Sequence, residues 1–272
     1  MVDLRHLFDA NPVDVDPRVR DAARDLLACE ASISDRAPLT VEWPDLDIET
    51  AYDIQSEILR AKIDAGQRII GIKLGLTSEA KQQRMNVHAP LTAWLTDAMQ
   101  LSNEATMPTE RLIHPRVEPE LVFVMGERLI GPGITRESAM QAVATVQAGL
   151  EVIDSRFIDY AFTLPDVIAD NASAAAFVLC DQLVDAGSID LVAETVVLER
   201  NDAVMAQATG AAVQGHPGEA LALAANELGK RGIAIEAGWI VLTGGMTDAV
   251  VVQRGDVVTA SFTHLGNVSI IA

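Results

Sequence analysis

Two cysteines, four lysines and an aromatic share of 4% are what this 272-residue chain has least of. Cys29 and Cys180 match no metal-type spacing and lie in apolar surroundings, so buried thiols of a cytoplasmic protein are expected. Positive charge is scarce: 20 Lys+Arg against 39 Asp+Glu leave a net charge of −19. Such a surface repels phosphate backbones and anionic lipid, which argues against nucleic-acid and membrane-surface roles. An anionic substrate would need a local positive device, a metal or an arginine cluster. No apolar run approaches the roughly 18 residues of a membrane span. Met1-Val2-Asp3-Leu4-Arg5 lacks the apolar core of a secretory signal, so the cytoplasm is the expected compartment. Gly131-Pro132-Gly133 reads as a turn, and no glycine-rich phosphate loop follows a strand.

What is present divides into two textures. Asp16-Pro17 followed by Arg18 to Ala31 predicts a helix with proline in its first turn. Asp47 to Ala65 predicts another, with Ile48, Ala51, Ile54, Ile58, Leu59 and Ile63 near a 3.6 period and Gly66 at its end. Residues 1–66 thus read as a helical N-terminal region. From 67 to 272 short β-branched runs dominate, from Ile69–Leu76 to Val268–Ile271, interrupted by two convincing helices, Thr135–Val146 and Pro217–Arg231. Many strands with few crossover helices predict an α+β fold with a mostly antiparallel or mixed β core and flanking helices.

The densest chemistry lies in His114-Pro115-Arg116-Val117-Glu118-Pro119-Glu120-Leu121-Val122. On a strand the period of two puts Glu118 and Glu120 on one face, with Pro119 on the other. Adjacent carboxylates raise each other's pKa unless a positive object sits between them. A hard divalent cation, Mg²⁺ or Mn²⁺, is the simplest such object. Glu151, another charge in an apolar run, is the natural third ligand. The plainer alternative is the wet face of an edge strand, a place that also suits Pro119.

Lys73 interrupts the apolar strand Ile70-Gly71-Ile72-Lys73-Leu74-Gly75. It either snorkels to solvent or reaches into a cleft, where desolvation would make it a usable proton carrier. In Ala169-Asp170-Asn171-Ala172-Ser173 the choice is between a self-bonded turn and a polar knot that aims Ser173 and Arg156 at the metal site. Asp97 is either a helix cap or a site acid. His114 is expected to be structural or a supporting donor, and His216 to start a helix. No Ser/His/Asp or His-x-x-x-His pattern supports serine hydrolysis or zinc chemistry.

Taken in order, Gly71–Ser78, Leu95–Met99, His114–Glu120, Glu151–Arg156, Ile168–Ser173 and Leu242–Gly245 resemble the hydratase/decarboxylase branch of the fumarylacetoacetate hydrolase superfamily, from about residue 45 to the end. Carried over residue by residue, the resemblance implies Mg²⁺ or Mn²⁺ on Glu118, Glu120 and Glu151. It places Lys73, Asp97 and Ser173 around the substrate, with Arg156 as a polar fixing group. It further implies a metal-dependent lyase acting on a small-molecule 2-oxo acid from the meta-cleavage of aromatic rings. Leu164–Asn171 and Thr243–Thr247 favour decarboxylation over hydration; a non-catalytic subunit stabilising a partner enzyme is the alternative of another class. Further copies of the chain are expected as partners, alone or with a partner hydratase. Three positions depart from the family pattern: Pro119 between the glutamates, and Asn86 and Ala93 where glycine is usual.

Overall fold

The computed structural model describes residues 16–78, 82–83 and 89–272. Asn86 therefore lies outside the described residues, as does the start of the N-terminal region. Among the described residues the α-helices are α1 (Pro17–Ser32), α2 (Leu39–Glu42), α3 (Ile48–Asp64), α4 (Arg136–Gln141), α5 (Leu164–Ala169) and α6 (Pro217–Lys230). The strands are β1 (Ile69–Gly75), β2 (Leu91–Thr96), β3 (Gln100–Leu101), β4 (Arg116–Met125), β5 (Val143–Ile153), β6 (Ala174–Leu179) and β7 (Val184–Asp185). They continue as β8 (Thr195–Arg200), β9 (Ala203–Thr209), β10 (Ile240–Gly245), β11 (Val250–Val251), β12 (Val257–Phe262) and β13 (Gly266–Ile271). The expected α+β class is what is found.

The helix ends follow from local chemistry. Asp16 accepts from the Arg18 N–H at 2.8 Å and Pro17 opens α1; Asp47 accepts from the Thr50 N–H at 2.8 Å to open α3. Past the end of α3, Gly66 takes a φ of +96°, the left-handed turn that favours glycine. His216 starts α6, its Nδ1 accepting from the Gly218 N–H at 2.9 Å. The apolar faces of α1 and α3 meet in a core made of Val19, Leu26, Ile54 and Ile58 with Ala93 of β2, Phe157 and Ile168 of α5. Ile54 is fully buried there, so truncation to alanine would cost about 2–5 kcal/mol.

The main sheet runs β2-β1-β10-β4-β5-β6-β3, with β11 pairing β4 and β7 pairing β5. Among the described strands, β1–β10 and β3–β6 pair in parallel and the other pairs are antiparallel. A second, antiparallel sheet, β13-β12-β8-β9, packs against β5 and β6. The largest core fills the space between the sheets and under α6, with Phe123, Leu150, Val196 and Ile270 among its members.

Two expectations are corrected. The helix expected over Thr135–Val146 ends at Gln141, because the β-branched Val143, Thr145 and Val146 begin β5 instead. The second correction concerns β4, which is central, flanked by β10 and β5, so Glu118 and Glu120 are not on a wet edge strand. Pro119 is tolerated because its carbonyl accepts from the Met246 N–H at 2.9 Å, on the side where the β4–β10 register shifts. Its missing N–H therefore falls at an irregularity, not in a regular ladder.

β2 is an edge strand whose outward backbone groups are met by side chains. Tyr52 Oη accepts from the Thr92 N–H at 3.3 Å, and Gln55 Nε2 donates to the Thr92 carbonyl at 3.1 Å. Asn171 does the same at Trp94: Oδ1 accepts from its N–H at 2.9 Å and Nδ2 donates to its carbonyl at 3.0 Å. Among the described residues no helix is long and apolar enough to cross a membrane.

Candidate metal centre

Strand register assembles the site. On β4 and β5, Glu118 is paired directly with Glu151, and Glu120 with Gly149, so the carboxylates gather on one face. One oxygen from each of Glu118, Glu120 and Glu151 lies within 4.8 Å of the others. Glu120 and Glu151 are 0% and 1% exposed, and Glu118 is 9% exposed.

Close backbone approach makes room for them. At the end of β10, Gly244 adopts a φ of +110° and its N–H donates to Glu120 Oε2 at 2.7 Å. A Cβ at Gly245 would stand 2.1 Å from Glu118 Oε2. The Thr-Gly-Gly at a strand end was visible in the sequence, but its role as the wall and donor of this site was not.

Lys73 enters from β1. It is 3% exposed, its Nζ lies 2.6 Å from Glu151 Oε1 as an ion pair, and it donates to the carbonyl of Ala172 at 3.0 Å. Burial pushes Glu151 up to about 7, with Lys73 pulling the other way. Burial, then the charges of Glu151 and Glu118, carry Glu120 well above the usual carboxylate range, against Lys73 and the Gly244 N–H.

These residues fit a divalent cation. Glu120 Oε1 and Glu151 Oε2 are buried and accept no hydrogen bond among the described residues. Three carboxylates against one ammonium leave two negative charges, which a divalent ion matches. Oxygen donors from carboxylates suit Mg²⁺ or Mn²⁺ and not a thiophilic metal.

The other expected site residues are placed differently. The Ser173 hydroxyl donates to Asp170 Oδ2 at 3.1 Å. Arg156 is bonded through Nε to the Asp170 carboxylate, through Nη2 to the Asp170 carbonyl, and through Nη1 to the Asp154 carbonyl at 2.8 Å. Both residues thus secure the fully buried Asp170, whose pKa burial raises against the pull of Arg156. Asp97 is not brought to the carboxylates. Ala93 is the cross-strand partner of Lys73 and Thr96 that of Ile69, so Asp97, in the turn just past β2, falls beside Arg68. There its carboxylate accepts from the Arg68 N–H and Nε at 2.9 and 2.8 Å. His114 is structural, its backbone N–H on Asp154 and its Nε2 against the Ser155 carbonyl. Ala93 is buried in the core shared with α1 and α3.

Residues 68–270 match the family model described as fumarylacetoacetate (FAA) hydrolase C-terminal. The chain belongs to that family. It is 39% identical over 240 residues to a 4-oxalocrotonate decarboxylase of Pseudomonas sp. (strain CF600), covering 88% of this chain and 91% of the relative. It is also 39% identical over 236 residues to a 2-hydroxyhexa-2,4-dienoate hydratase of Comamonas testosteroni, covering 86% and 89%. Among solved structures it is similar to 4-oxalocrotonate decarboxylase from Pseudomonas putida G7 complexed with magnesium and adipate. That match has a TM-score of 0.91, 37% identity, and coverage of 93% of this chain and 97% of the other. Family membership and the three converging carboxylates agree on a centre for a divalent ion.

Proposed function

We propose that this chain is a divalent-metal-dependent carboxy-lyase of aromatic meta-cleavage catabolism, converting 2-oxo-3-hexenedioate (4-oxalocrotonate) into 2-hydroxypenta-2,4-dienoate and CO₂. The observation that carries this reading is the buried Glu118–Glu120–Glu151 cluster ion-paired to Lys73, in a chain so similar to a decarboxylase. The magnesium and adipate of the related structure support it, since adipate is a saturated six-carbon dicarboxylate of the substrate's length.

In the reaction the bond to the distal carboxylate breaks and its electron pair moves through the carbon–carbon double bond to the 2-oxo oxygen. A divalent ion held by the three glutamates supplies Lewis acidity for the charge arriving on that oxygen. The chain's own part begins with orientation: Gly244 fixes Glu120, and Lys73 fixes Glu151, so the cluster is set before substrate enters. Lys73, buried and 2.6 Å from Glu151 Oε1, is our candidate for delivering the proton that the dienolate oxygen takes up to become the 2-hydroxyl. On the face of the sheet that carries the cluster, buried Val122, Phe177 and Leu242 restrict water beside it. Ser173 and Arg156 serve by holding Asp170, and assembly as a homo-oligomer in the cytoplasm, alone or with a partner hydratase, completes the proposal.

Hydration of the dienol product is the second reading, favoured by equal identity to a hydratase. Both would use the same cluster. The test supplies the enedioate and the dienol separately to the purified chain with Mg²⁺. CO₂ from the first with no water added to the second is the expected result. Hydration of the dienol without CO₂ release would transfer the assignment to the hydratase, and turnover of neither would remove both.

A further inference from the structure

Lys73 is held by a segment whose own conformation is costly. Asn171, Ala172 and Ser173 have φ of 48°, 52° and 58°, three successive non-glycine residues in the left-handed region. Each position there crowds its Cβ against the neighbouring carbonyl, and single residues are the usual limit. All three are buried. Such a run persists only where its surroundings over-determine it.

Two anchors do so here. On one side, Asp170 is locked by Arg156 and Ser155, and the Ser173 hydroxyl and N–H return to Asp170 Oδ2 and to its carbonyl. On the other, the Asn171 amide pairs with both backbone groups of Trp94, taking the place that a further strand would occupy beside β2. Between the anchors the Ala172 carbonyl points at Lys73 Nζ, 3.0 Å away. Lys73 and Trp94 are on adjoining strands, since Ala93 is the partner of Lys73. The amide thus ties the turn to the strand next to the lysine.

We propose that Asn171 is a positioning residue for Lys73: its side chain clamps the left-handed turn to β2, so that the Ala172 carbonyl and Glu151 hold the ammonium at a fixed place beside the three carboxylates. Asn171 touches neither metal nor substrate in this scheme. Asparagine suits the task because it tolerates the left-handed region better than other non-glycine residues and carries both a donor and an acceptor.

The inference that Asn171 holds Lys73 rests on geometry; its effect on turnover rests on the proposed function, and the two are tested separately. The chain has four lysines, Lys62, Lys73, Lys81 and Lys230. Protein labelled with ¹⁵N-lysine should show a slowly exchanging ammonium signal from Lys73, identified by its loss in Lys73→Met and by its broadening with Mn²⁺. Asn171→Gly removes the amide while keeping a residue at ease at this φ; Asn171→Ala is the second variant should the first not fold. Loss or a clear shift of the Lys73 signal in a folded variant is expected, whatever the reaction. An unchanged signal overturns the proposal. With a substrate that the parent turns over, kcat should fall roughly tenfold to a hundredfold while KM and Mg²⁺ affinity stay within about threefold. Unchanged kcat, or an equal loss of kcat and metal affinity, would also overturn it by reducing Asn171 to a general structural part. A parent that turns over no 2-oxo acid defeats the function reading but leaves the spectroscopic arm to decide this one.

Discussion

Removing the divalent ion should make stability depend on pH in an unusual direction. Carrying Glu151 from its ordinary 4.5 to about 7 corresponds to about 3 kcal/mol of linkage. Its folded pKa is raised, so between these values the folded state binds more protons than the unfolded one. Stability from this group is fully present below about pH 4.5 and is lost as pH rises through about 7; Glu120 acts in the same direction. His216 opposes part of this, since burial lowers its pKa and its contribution grows as pH rises. A comparison with and without cation isolates the carboxylates, because His216 is common to both. Chelator-treated protein should therefore gain more from millimolar Mg²⁺ at about pH 8 than at about pH 5, by roughly 6–12 °C in Tm at about 2–4 °C per kcal/mol. Thermal melts followed by circular dichroism across this range provide the assay. A Mg²⁺-induced gain that does not change with pH would refute the argument that protons and metal compete for these buried oxygens.

Lys73→Met should lower turnover by about a hundredfold or more and, because Glu151 loses its counter-ion, destabilise the metal-free protein by about 3 kcal/mol at pH 8 and less at pH 5. Steady-state kinetics and urea melts read both effects; this variant is costlier than the sequence suggests, because Lys73 is buried and paired. Gly245→Ala should reduce Mg²⁺ affinity by roughly 10–100-fold in calorimetry, since its Cβ would occupy the space of Glu118 Oε2. Asp97→Asn should leave kcat within about threefold of the parent, because that carboxylate is bound to Arg68 away from the cluster.

The sequence shows the three glutamates and the interrupted strand at Lys73 plainly, because charges in apolar runs stand out. It does not show the Glu118–Glu151 pairing, which depends on strand register, or the Lys73–Glu151 contact, which spans four strands. Asp97 was misleading for a related reason: β2 runs antiparallel to β1, so the residue ends beside Arg68 and not beside Lys73. β2 itself is hard to read, since all six of its residues are buried and show no alternation. β9, Ala203–Thr209, contains alanines that do not favour a strand, yet pairing with β8 makes it one with mostly exposed side chains. The α1 and α3 boundaries, by contrast, follow from Asp16, Asp47 and Gly66, whose capping is local.

A chain that has not yet met a metal ion must bury three neighbouring carboxylates, and the ammonium of Lys73 offsets part of that cost. With one carboxylate neutralised from within and the raised pKa values allowing another to keep its proton, the protein can close around the cluster while it waits. Metal shortage would then leave a reserve of folded, idle molecules awaiting only an ion, and recovery would be limited by ion supply and not by new synthesis.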